Sequence, residues 1–259
     1  MQRLRDLHPT GPPPEPLPPV ASQDVPRFTD DLVRSALSTF GPGSAAGLFG
    51  IKPSLLQQAT RAETYNFGST LTRACNYFAH GKGPEFLRPL MAGGVSIALE
   101  KSQTAVRPLA CGDPIRRLVA KCFCLGAKEE ISKAFAGKNY GVGCKGGVEV
   151  VAHSLRDTLE KHKGSKMGLL KIDFKNAFNM VSRDHFMKQA HSMFPFMSAW
   201  TEWCYGKPSV LLYDHEHVIW SQAGVQQGDP LGPLYFCCGL NPLVRHRCPR
   251  PHLQQVVHG

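Results

Sequence analysis

The chain has no apolar run of about 18 residues, the least that spans a bilayer as a helix, so no membrane partner is expected. Its N-terminus has no apolar core of a signal peptide. No C-x-x-C or paired Cys/His spacing of a zinc site occurs. The nine cysteines are an odd number in no regular framework, which argues against a secreted disulfide scaffold and points to a reduced, intracellular protein with core cysteines. Acid is scarce: Asp plus Glu is 20 against 30 for Lys plus Arg, a formal net charge of +10. No acidic residue follows Asp229. The Asp-Asp pair, Asp30-Asp31, lies near an N-terminal helix start and reads as first-turn helix charge.

A basic balance of this size favours a polyanionic partner, with nucleic acid first and ordinary solubility charge as the alternative. The cations are dispersed, which suits a folded face better than a basic arm. Residues 1–27 read as a disordered tail, because eight prolines between Pro9 and Pro26 forbid regular structure and favour extended chain.

From Phe28 the chain reads as folded. Phe28, Leu32, Ala36, Leu37 and Phe40 have helical spacing, and a second helix is predicted near Pro53–Ala62. Alternation at Val95, Ile97, Leu99, Val106 and Leu109 predicts a β-hairpin carrying Lys101 and Arg107. Asp113-Pro114 is a cap followed by a first-turn proline, and the apolar spacing after it runs to Gly137. A helix with Val148, Val151, Leu155 and Leu159 on one face ends near Gly164. The apolar run Met167–Ile172 then reads as a buried strand that delivers Asp173 to the rim of a sheet. Ser182 caps a helix that Pro195 stops. A second hairpin spans Ser209–Ser221, and a last apolar helix covers about Leu231 to Leu240. From Arg245 periodicity disappears, and residues 246–259 read as an unstructured tail. No internal repeat is visible.

Gly141 to Gly146 matches G-x-G-x-x-G, but a polar helical stretch precedes it where a dinucleotide site needs an apolar strand, so it reads as a turn. The Gly224-Val-Gln-Gln-Gly-Asp-Pro-Leu-Gly-Pro block is more specific. Gly228 permits close approach of a backbone or base, and Gln227 offers both a donor and an acceptor. Asp229 capping a helix with Pro230 at its first position is a second reading, compatible with the first.

Residues 107–121, 140–155, 169–178 and 224–236 resemble, in order and spacing, successive blocks of the reverse transcriptases of non-LTR (LINE-type) retrotransposons. The resemblance covers roughly residues 28–245. It implies an α+β fold, the fingers and part of the palm of a right-hand polymerase, with an antiparallel palm sheet backed by helices. It implies template-directed nucleotidyl transfer with Mg²⁺, an RNA template, a DNA primer and deoxynucleotides. Asp173 resembles the first palm aspartate, a catalytic metal ligand. Phe178 resembles the aromatic under the incoming sugar, with a core aromatic as the alternative. Arg107 and Lys101 resemble the fingers cations that pair with the triphosphate, and cations on a hairpin suit that task. A solvated hairpin lysine is the other reading of Lys101. Gln227 and Gly228 resemble the turn beside the nucleotide and template.

One departure bears on activity. Two Mg²⁺ ions about 3.5–4 Å apart need several oxygen ligands. The family supplies the further carboxylates from an aromatic-x-Asp-Asp hairpin after the Gln-Gly block, and no such motif stands between Phe236 and Gly259. The expectation is a domain truncated before that hairpin, inactive alone, with a palm sheet edge and a helix face left for a partner to cover. A non-enzymatic nucleic-acid-binding remnant, or a relic without selected function, is the alternative.

Overall fold

Capping chemistry sets the helix starts. Thr29 Oγ1 accepts a hydrogen bond from Leu32 N (3.2 Å) and opens α2 (Asp30–Ser38), which buries Val33, Ala36 and Leu37. Pro53 opens α3 (Pro53–Arg61). In the computed structural model, which describes residues 2–62, 64–102, 105–137, 139–166, 168–214 and 216–247, a five-residue α1 (Gln2–Asp6) precedes these two. Helices α4 (Phe67–Ala79) and α5 (Arg88–Met91) lead to the hairpin of β1 (Gly94–Ser102) and β2 (Ala105–Gly112).

Asp113 Oδ1 accepts from Ile115 N (2.9 Å), and Pro114 starts α6 (Pro114–Gly126). The single long helix expected to run to Gly137 is broken at Ala127, where φ is −103° and ψ is 19°, and resumes as α7 (Lys128–Phe135). Then come α8 (Gly147–Lys161), the one-turn α9 (Ala177–Met180) and α10 (Arg183–Met193), whose start Ser182 caps through His185 N (3.3 Å). Helix α11 (Ser198–Tyr205) precedes β3 (Ser209–Tyr213) and β4 (His217–Ser221). The final α12 (Gly232–Arg247) extends past its expected end and contains Pro242. The boundary expected at 245 therefore falls inside a helix, and residues 248–259 lie outside the described residues.

The expectation of an α+β fold holds, but the sheet is mixed and not antiparallel. Its order is β2-β1-β3-β4, and the two antiparallel hairpins are joined by parallel pairing of Gly94 with Leu211 and Val95 with Leu212. Arg88, on α5, donates from Nε to Trp203 O (2.8 Å) and from Nη2 to Glu202 O (2.6 Å), both on α11. Each of these helices is followed by a strand. These bonds tie together the two helices that precede the parallel pair. Gly93 permits the contact, since a Cβ there would stand 2.0 Å from Val210 O.

The main core is built by α2, α4, α6, α10, α11 and α12, centred on Leu118, Phe123, Phe186, Trp200, Tyr205 and Tyr235. A smaller cluster on the sheet joins Ala110, Leu211 and Ile219 to Leu4 of α1. The proline-rich segment expected as a tail lies along this body. Leu7 O accepts from Asn176 Nδ2 (2.8 Å) and Asn179 Nδ2 (2.9 Å), and Leu17 N donates to Glu202 Oε2 (3.1 Å).

Among the described residues the buried strand expected before Asp173 does not form, and Met167, where it was expected to begin, lies outside them. Residues 168–174 pair with no strand, and Leu169, Leu170, Ile172 and Phe174 are exposed. The apolar stripe of α8 is only partly covered: Val148 and Leu159 are exposed, Val151 and Leu155 are half-buried, and only Gly147 of that helix is buried. Periodicity expresses a capacity to pack, and realising it requires a partner surface.

Candidate functional site

The site assembles around the turn 226–229. Its base is a buried polar network. Arg116 of α6 donates from Nη2 to Asp229 Oδ2 (3.0 Å), from Nη1 to Gln226 Oε1 and from Nη1 to Ala92 O (2.7 Å). Tyr205 OH donates to Asp229 Oδ2 (2.6 Å), and Gln226 Nε2 donates to Ser209 Oγ (3.0 Å) and Ala92 O (2.9 Å). Asp229 Oδ1 accepts from Leu231 N (2.9 Å), a turn two residues long; the helix begins at Gly232, so the expected cap at Asp229 with Pro230 in the first helical position is not what forms.

The electrostatics follow from burial. Loss of water would lower the Arg116 pKa, but the Asp229 carboxylate beside it reverses this, and the guanidinium stays charged. Burial first and the Asp229 charge second push the Tyr205 phenol well above its ordinary value, so it remains a donor. Arg183 is buried nearby. It donates to Ser221 Oγ (2.7 Å) and Gly224 O (3.1 Å), and burial brings its pKa down to about 10.

This network holds Gln226 and Asp229, and between them it presents Gln227 and Gly228. Gly228 is exposed with φ +115°, and a Cβ would stand 2.4 Å from Ala110 O. Gln227 is half-buried, and its carbonyl accepts from Ala110 N (2.6 Å), which joins the turn to the end of β2. On the other side Val225 N donates to Phe178 O (2.8 Å). Gly224 makes that approach possible, since a Cβ there would lie 2.3 Å from Phe178 O. A shallow recess between the turn, β2 and α6 is lined by Ala110, Gly112, Arg117, Gly228 and Pro230. A larger cavity of about 400 Å³ lies apart from the turn, between residues 24–32 and α6.

The structure thus brings three sequence blocks together: the end of β2, the turn after Asp173, and the Gln-Gly turn. Gln227 and Gly228 stand at their meeting point. Phe178 adjoins it, but its ring is half-buried and stacked on Phe236 at 5.1 Å and 9°, the core placement that its sequence position allowed. Arg107 faces solvent on β2 opposite Leu99, three residues from Ala110, or roughly 10 Å at the rise of a strand. Lys101 is exposed farther out, at the irregularity between Glu100 and Ser102. Asp173 is exposed on the unpaired segment, five residues before Phe178.

The donor set does not fit a pair of Mg²⁺ ions. Among the described residues no group of three or more His, Cys, Asp or Glu side chains is placed to hold a metal. The acid nearest the Gln-Gly turn, Asp229, is committed to Arg116.

Sequence reading missed Arg116, Tyr205 and Gln226. A signal existed for Arg116: it falls in register with Val119, Ala120 and Phe123, the buried line of α6, so its charge had to meet a buried partner. Nothing local marks Tyr205, because α11 is buried all round and shows no stripe. No family model matches the chain, and no curated protein matches it. No helix among the described residues is long and apolar enough to cross a membrane.

Proposed function

We propose that this chain is a reverse-transcriptase-type domain of the LINE class, comprising fingers and part of a palm, that binds nucleic acid and does not join nucleotides by itself. One observation carries the reading. Blocks that are far apart in sequence, and that resemble that family in order, meet through two backbone hydrogen bonds, Ala110 N to Gln227 O and Val225 N to Phe178 O. In this reading Arg107 and Lys101 attract phosphates from the hairpin, and Gln227 hydrogen-bonds a base or sugar that Gly228 lets approach. Asp173 alone cannot organise two cations and the charge that develops between them, so no transfer step is assigned to this chain.

The test is twofold. Fluorescence anisotropy with a labelled RNA–DNA primer-template should show binding that weakens about ten- to hundredfold between 50 and 200 mM salt, as two to four phosphate contacts require. Arg107→Ala should lower the affinity and flatten that dependence. Absent or salt-insensitive binding would overturn the proposal. Primer extension with Mg²⁺ and with Mn²⁺ should yield no product, and extension abolished by Asp173→Ala would overturn the inactive part of the reading.

A further inference from the structure

Residues 168–174 belong to no helix, turn or strand and hold their apolar side chains in water: Leu169 is 66% exposed, Leu170 82%, Ile172 64% and Phe174 52%. Lys171 and Asp173 are exposed between them. In a strand Leu170, Ile172 and Phe174 share one face, and Lys171 and Asp173 share the other. This pattern is complementary to its own reverse. If two copies pair antiparallel about Ile172, Leu170 of each meets Phe174 of the other, Ile172 meets Ile172, and each Lys171 meets an Asp173. Shifting the centre to residue 171 sets Lys171 against Lys171, and shifting it to 173 sets Asp173 against Asp173. A half-step sets Lys171 against Ile172. One register satisfies both charge and hydrophobicity, which is how sheet pairing becomes specific.

We propose that residues 170–174 are a self-association surface, and that two copies of this chain join there as an antiparallel, two-fold symmetric strand pair centred on Ile172. The occupant is a second copy because the charges complement themselves. An isologous contact requires that each residue meet its partner reciprocally, as Lys171 and Asp173 do. Pairing also satisfies backbone groups that no strand of the chain itself pairs. This inference is independent of the proposed activity.

Sedimentation equilibrium of the full chain should show a monomer–dimer equilibrium in the range of roughly 10–100 µM, as suits a small interface. Lys171→Asp and Asp173→Lys should each weaken self-association about tenfold, since each reversal creates two like-charge pairs per dimer. The double reversal, K171D with D173K, should restore it. A mixture of the two single variants should form heterodimers. Both positions are exposed, and circular dichroism should confirm that each variant is folded. A chain that stays monomeric at about 200 µM, or a dimer that ignores the single reversals, would overturn the proposal.

Discussion

Asp229→Asn is the sharpest probe of the network beneath the Gln-Gly turn. Arg116 and Asp229 both have side chains almost wholly buried, at 3% and 2% exposure, so the pair has little solvent to replace either partner. Removing one member of such a pair leaves a buried charge without compensation, a loss of about 3–5 kcal/mol. Asparagine keeps the shape, and its carbonyl can still accept from Leu231 N or Tyr205 OH. The expected loss is therefore at the low end, about 3 kcal/mol. For a chain of this size that corresponds to a fall in Tm of roughly 6–12 °C, read by circular dichroism at neutral pH. The companion experiment is Arg116→Met in the Asp229→Asn background. Removing the orphaned charge should recover at least about 1 kcal/mol, so the two changes are strongly non-additive. A fall in Tm of less than about 2 °C, or additive losses, would refute the argument that this pair holds the turn.

Other outcomes follow from the same geometry. Burial raises the pKa of Asp113, so the folded state takes up a proton at higher pH than the unfolded chain. Stability from this group should increase as pH falls through the raised value and level off below the ordinary carboxylate range. Asp113→Asn, which keeps the cap on Ile115 N, should remove that component of the urea-unfolding profile at a cost of under about 1 kcal/mol at pH 7. Gly228→Ala would place a Cβ 2.4 Å from Ala110 O at φ +115°, and should cost about 1–3 kcal/mol while weakening primer-template binding. Cys144 is exposed, whereas burial pushes the thiols of Cys122, Cys204 and Cys237 up to about 12. Cys144→Ser should lower the count of fast-reacting thiols in a native-state titration by one, and an unchanged count would contradict its placement.

What was legible in the sequence is local. The Asp113 and Ser182 starts, the prolines at 53 and 114, and both hairpins depend on residues within a few positions of one another, and the structure shows each of them. Gly228 was legible too, because its role needs only a turn and the absence of a Cβ. The stretch before Asp173 has the composition of a strand, yet a strand is a relation between two segments, and 168–174 pairs with none. The stripe on α8 failed as a guide to burial for the same reason.

By itself, then, the sequence determined the helix starts that a cap or a first-turn proline marks, the existence of both hairpins, that the chain is basic, and the order of blocks that directs attention to Asp173 and the Gln-Gly turn. Only the tertiary structure decided that β1 and β3 run parallel, because Gly94 and Leu211 are more than 110 positions apart and no local signal sets the direction in which they meet. It alone decided that Asp229 answers Arg116 across 113 positions, that Phe178 stacks in the core, and that Leu4 docks on the sheet. Propensity and capping act over one turn, whereas a buried charge or an unpaired strand finds its partner only when distant segments fold together.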